Sequence, residues 1–171
     1  MIVLDTNVVS ELMRPSPSTR VLTWVREHEE SDLYTSAITL AEIRYGIERL
    51  ADGRRKQALS AVADDVFGRF AEQVLPFDAR AALRYAAIVS RRERDGPPID
   101  GFDAQIASIC QQHSATLATR NVSDFEHTGI VLGTSGSNGQ QNTQQSARAE
   151  PSNVLFHCFN ASLTSALLTE E

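Results

Sequence analysis

Four short strand candidates, IVL (2–4), LYTS (33–36), VLPF (74–77) and ATLAT (115–119), are separated by stretches of helical periodicity. This alternation constrains the fold more than any other feature. Short apolar strands with helices between them are what parallel βαβ units require, so an α/β sandwich is expected. The first helix, 6–13, is stopped by Arg14-Pro15-Ser16-Pro17. A second stretch, 18–29, carries Val21, Leu22, Trp24 and Val25 on one stripe, and 39–50 carries Leu40, Ile43, Ile47 and Leu50. Further helices are expected at 54–72, at 79–94 with Leu83, Ala86, Ala87 and Val89 turned inward, and at 103–114. Residues 95–101 and 120–129 read as loops, and GIVL (129–132) offers a last strand.

A chain of 171 residues is long enough for one domain with a real core. No run approaches the roughly 18 consecutive apolar residues of a membrane span. No basic region precedes the first apolar residues, so no secretory signal is expected. The two cysteines, Cys110 and Cys158, have no CxxC spacing, which points to a reducing compartment and a cytoplasmic protein. A net charge of −6 argues against electrostatic coating of nucleic acid, but an acid cluster built to hold a cation would itself lower the total. After about Leu132 the composition changes to a Gly/Ser/Gln/Asn-rich stretch, so 1–132 is expected as the domain and 133–171 as a low-complexity linker and tail.

Four acids stand at comparable places along this pattern: Asp5, Glu42, Asp103 and Asp124. Each has an ordinary reading. Asp5 and Asp103 precede helical stretches and could cap them, Thr39-x-x-Glu42 has the spacing of a capping box, and Asp124 could close a turn. Their joint placement says more. In an open parallel sheet the strand C-termini and helix N-termini share one edge, where such folds put their sites. Asp5 ends the first strand, Glu42 lies in the first turn after the second, Asp103 opens a later helix and Asp124 follows the fourth strand. Crowded carboxylates repel unless a cation compensates, and an all-oxygen set suits Mg²⁺ or Mn²⁺. The histidines, 28, 113, 127 and 157, lack paired ligand spacing for zinc. Thr6, Asn7, Thr119 and Asn121 could orient the carboxylates or serve as turn residues. The arginines at 44, 49, 91, 92, 94 and 120 read mostly as solvated helix faces, with Arg120 the exception as a candidate for a phosphate-backbone contact.

The stretches LDTNVVSEL (4–12), TSAITLAEIRYGIERL (35–50) and FDAQIASICQQHSATLATRNVSDFE (102–126) resemble a PIN-domain ribonuclease, and more narrowly the toxin subunit of VapBC-type toxin–antitoxin pairs, the FitB-like branch included. The resemblance spans residues 2 to about 131. It implies a three-layer α/β/α sandwich around a parallel sheet and a Mg²⁺- or Mn²⁺-dependent endoribonuclease using metal-activated water. It makes Asp5, Glu42, Asp103 and Asp124 the catalytic and metal-binding acids, and puts Asn7 and Thr119 near the metal. It also implies a small DNA-binding antitoxin as partner, an RNA substrate, and a homodimer for which the apolar faces at 38–50 and 59–70 are candidates. Asp100 reads as a loop residue. Two alternatives stay open: a catalytically silent PIN-like binding module, and an aspartate-dependent phosphatase. The second is weakened by Asn7, where such enzymes need a second aspartate.

Overall fold

The computed structural model describes residues 1–70 and 72–134, so most of the expected tail, 135–171, lies outside the described residues. The elements run β1 (Ile2–Leu4), α1 (Thr6–Leu12), α2 (Thr19–Arg26), a 3-10 turn (Glu30–Asp32), β2 (Leu33–Ser36), α3 (Ala37–Glu48), α4 (Arg54–Arg69), β3 (Val74–Leu75), α5 (Ala79–Asp95), α6 (Gly101–His113), β4 (Thr116–Thr119), a second 3-10 turn (Val122–Phe125) and β5 (Val131–Thr134). The strands form one sheet in the order β3-β2-β1-β4-β5, all parallel. The last strand extends two residues past the expected domain boundary at 132.

The central strand β1 is covered on both faces. Val3 and Leu4 of β1 are fully buried yet belong to different apolar clusters, as alternation of side chains across a strand requires. Leu4 joins Val8, Leu12, Val25, Ile43, Ile47 and Val66 on the side of α1 to α4. Val3 joins Ala81, Ile88, Ile106 and Ile109 on the side of α5 and α6. The result is a helix layer on each side of the sheet, the three-layer arrangement that the sequence implied. Ile43, Ile47, Val62 and Val66, on the stretches considered for a dimer face, are spent in this core.

One helix face differs from expectation. On α5 the inward residues are Ala81, Ile88 and Arg92, while Leu83 is 77% exposed and Ala86 and Ala87 also face solvent. A charged residue on the buried stripe concealed it: Arg92 is 3% exposed, donating to the carbonyls of Pro97 and Glu126. A periodicity search that counts only apolar residues rejects that face. Ile88→Ala is therefore expected to cost about 2–5 kcal/mol, and Leu83→Ser less than about 0.5 kcal/mol, in urea unfolding. The reverse ranking would restore the face read from sequence.

Candidate active site

The sheet edge formed by the C-termini of β1, β2 and β4 carries the four acids or the helices that bear them. Asp5 follows β1 and continues the ladder through its N–H to the Ala118 carbonyl, 3.0 Å. It also caps α1: Oδ1 accepts from the Thr6 N–H at 2.7 Å. Oδ2 accepts from Asn7 Nδ2 at 2.6 Å and from the Thr119 hydroxyl at 2.7 Å. The capping role and the site role thus fall to one side chain, 3% exposed and held by three donors. Burial raises the Asp5 pKa, the donors from Thr119, Thr6 and Asn7 oppose that rise, and the charge of Asp124 adds to it.

Glu42 lies in the second turn of α3, not the first, and has no capping task. Ser36 caps that helix, its hydroxyl oxygen accepting from the Thr39 N–H at 3.0 Å. Glu42 Oε2 instead accepts the Thr6 hydroxyl at 2.6 Å, which links α3 to the residue beside Asp5. Its pKa is raised by burial first, then by Asp5 and Asp100, against the lowering hydrogen bond from Thr6.

Asp103 has likewise been released from capping. Asp100, expected as a loop residue, is the N-cap of α6 and accepts from the Phe102 N–H at 2.8 Å. Asp103 sits in the first turn, half-buried, and among the described residues its carboxylate forms no hydrogen bond or ion pair. Burial pushes its pKa up to about 7, with Asp5, Asp124, Asp100 and Glu42 all adding repulsion. Asp124 is exposed in the 3-10 turn after β4, with Ser123 Oγ 3.4 Å from Oδ1. The four acids thus act on one another, and Asp100, a helix cap and not the loop residue expected, joins them as a fifth charge.

The polar residues of the expected surround form a connected set. Besides reaching Asp5, Asn7 Nδ2 donates to Thr119 Oγ1 at 3.0 Å, and Thr119 Oγ1 accepts from the Asn121 N–H at 3.0 Å. Asn7 Oδ1 accepts from the Arg120 N–H at 3.0 Å. Glu11 was not anticipated. It is buried on the inward face of α1 with Val8, Val9 and Leu12, and it binds Arg120 at 2.8 Å. An acid on an apolar stripe was the available signal.

The donor set, carboxylates only, has the chemistry of a site for a hard divalent cation. Among the described residues no three acidic, His or Cys side chains are arranged to hold an ion as they stand. The hydrogen bonds explain the difference: both Asp5 oxygens and Glu42 Oε2 are directed at protein donors. Asp103 and the exposed Asp124 are the carboxylates free to turn.

Residues 2–130 match the PIN domain family. The chain is 42% identical over 126 residues to the toxin FitB of Neisseria gonorrhoeae, spanning 73% of this chain and 91% of that protein. It is 38% identical over 133 residues to the VapC ribonuclease Y4jK of Sinorhizobium fredii, spanning 77% and 95%. Among solved structures, FitAB bound to an IR36 DNA fragment superposes with a TM-score of 0.76 at 38% identity, covering 82% of this chain and 99% of that one.

Proposed function

Because the chain belongs to the PIN-domain family, we propose that it is the toxin of a toxin–antitoxin pair and cleaves RNA as a divalent-metal-dependent endoribonuclease. The observation that carries the metal dependence is Asp103, a carboxylate with no partner among the described residues, raised to about 7 by burial and four neighbouring acids. Such a group calls for a cation.

Asp5, Glu42, Asp103 and Asp124 would hold Mg²⁺ or Mn²⁺. When bound, the ion would neutralise charge developing on the scissile phosphate. The protein's own contribution is orientation. Thr6, Asn7 and Thr119 fix the Asp5 carboxylate, and the Thr6 hydroxyl turns Glu42 toward it. A carboxylate of this set takes the proton that the attacking water loses. Single-stranded or looped RNA exposes its phosphates and suits an open rim of this kind.

A small DNA-binding antitoxin is the partner in this reading, which the similarity to FitAB bound to a DNA fragment supports. One of its basic side chains would meet the acid cluster with complementary charge. Homodimerisation belongs to the same proposal: Tyr45, on the 38–50 stretch, leaves a large side chain 63% exposed, so apolar surface remains there after the core is built. A cytoplasmic setting follows from an RNA substrate, and among the described residues no helix is long and apolar enough to cross a membrane.

That no three acidic, His or Cys side chains close on an ion among the described residues favours the alternative, a PIN-like binding module without activity. Incubating purified, antitoxin-free protein with RNA in Mg²⁺, Mn²⁺ or EDTA separates the two. Cleavage leaving 5′-phosphate and 3′-hydroxyl ends, lost in EDTA, is expected. Cleavage persisting in EDTA would sink the metal-carboxylate mechanism, and none under any condition would favour the silent module.

A further inference from the structure

Hydrolysis as proposed leaves one ion pair beside the acids unused, with its carboxylate buried and its guanidinium half-exposed. Glu11 is 4% exposed, its Oε1 accepting from the Ser18 N–H at 2.9 Å. Its Oε2 accepts from Arg120 Nη1 at 2.8 Å and stands 3.3 Å from Arg14 Nη1. We propose that Glu11 and Arg120 are a positioning pair that fixes the segment after β4 against α1, and that Arg120 serves the acid site in this way and not as an RNA contact. The inference rests on the nuclease reading above.

The geometry is a two-point attachment. Asn7 and Glu11 are four residues apart and so lie on one side of α1. Asn7 Oδ1 holds the Arg120 backbone N–H, while Glu11 holds the Arg120 side chain. Thr119 is already held in β4, so either contact alone would let Arg120 and the residues after it pivot about it. Together they fix both position and direction. The fixed segment begins with Thr119, which donates to Asp5, and continues to Asp124. Its placement therefore sets Asp124 against the Asp5 carboxylate that Thr119 holds.

The direction of the Arg120 side chain separates the two roles open to it. Glu11 is six residues beyond Asp5, about 9 Å along the helix axis. Binding Glu11 draws the guanidinium toward that point and away from the acid end of α1. Arg120 is the nearer of the two cations on the buried Glu11 carboxylate, 2.8 Å against 3.3 Å for Arg14, and opening the pair leaves that charge less compensated.

The test compares Glu11→Gln, Arg120→Gln and the double variant on a single-stranded oligoribonucleotide, with kcat, KM, their salt dependence and amide exchange measured. Each single variant is expected to lower kcat about tenfold by misplacing the acids, with KM within about twofold. The double variant should be no slower than the slower single one, since either change opens the same attachment. Exchange at Arg120, Asn121 and Asp124 should quicken in both variants, whether or not RNA is cut.

Opposite results are specific. If Arg120→Gln raises KM and flattens its dependence on salt by about 0.7 in log–log slope, the value for one lost phosphate contact on a single strand, Arg120 touches RNA and the pair is not positioning. Additive losses in the double variant, or unchanged exchange at 120–124, also overturn it. Should Glu11→Gln fail to fold, Arg120→Gln alone decides, because that side chain is 47% exposed. No cleavage by the unaltered protein would instead count against the nuclease reading, leaving exchange to judge the pair.

Discussion

Asp103→Asn is expected to reduce RNA cleavage roughly a thousandfold, the scale on which losing one group of a preorganised charge-stabilising site acts. Asp5→Asn should do the same, but with an added cost in stability. The Asp5 carboxylate accepts from three donors, and an amide there would set its own NH2 against Asn7 or Thr119. Asp103 has no such bonds among the described residues, so its substitution isolates the chemistry from the fold. Product formation from end-labelled RNA at saturating Mg²⁺ measures both. Either variant cleaving at the rate of the unaltered protein removes that acid from the mechanism.

The second large effect runs the opposite way. In EDTA at pH 7.5, Asp103→Asn is expected to raise the melting temperature. Unfolded, this carboxyl ionises near 3.8; folded, at about 7, because burial and Asp5, Asp124, Asp100 and Glu42 all oppose its charge. Between those values the folded state binds a proton that the unfolded state does not, so stability falls as pH rises from about 4 through about 7. The unaltered protein in EDTA should therefore melt at a higher temperature at pH 5.5 than at 7.5. The Asn variant, having no charge to desolvate, should lose much of that slope. Mg²⁺ should stabilise the unaltered protein at pH 7.5, where Asp103 is free to ionise, and do less for the variant. If the variant melts lower than its parent in EDTA at pH 7.5, the repulsion inferred for this site is not present. A substitution that stabilises a protein while removing its activity marks strain kept for function.

Strand positions and the acid roles had different legibility. IVL and LYTS are the observed β1 and β2 to the residue, because a strand buried on both faces is a continuous apolar or β-favouring run ended by a polar one. Asp5, Glu42, Asp103 and Asp124 could be assembled on paper because parallel topology sends strand ends and helix starts to one edge. The capping assignments could not be made that way. Asp100 and Asp103 are both plausible caps for α6, and Ser36 and Thr39 for α3; which side chain reaches a backbone N–H depends on the dihedral angles at the helix start. Once Ser36 and Asp100 took those tasks, Glu42 and Asp103 were left with no local role, which strengthens their reading as site residues.

Two further features follow from contacts between distant segments. The Glu11–Arg120 pair joins residues 109 apart in sequence, and Arg92 reaches a carbonyl 34 residues away. Glu11 puts a charge on the apolar stripe of α1, and Arg92 puts one on the face of α5 that folding buries. Local pattern determined the order of strands and helices, their mutual orientation and the edge where the acids gather, since each depends on neighbours within a few residues. Only the tertiary structure decided which acids cap and which remain unpaired, which face of α5 is buried, and what holds Arg120. Those outcomes depend on the desolvation of charges by partners that the chain brings together only when it folds.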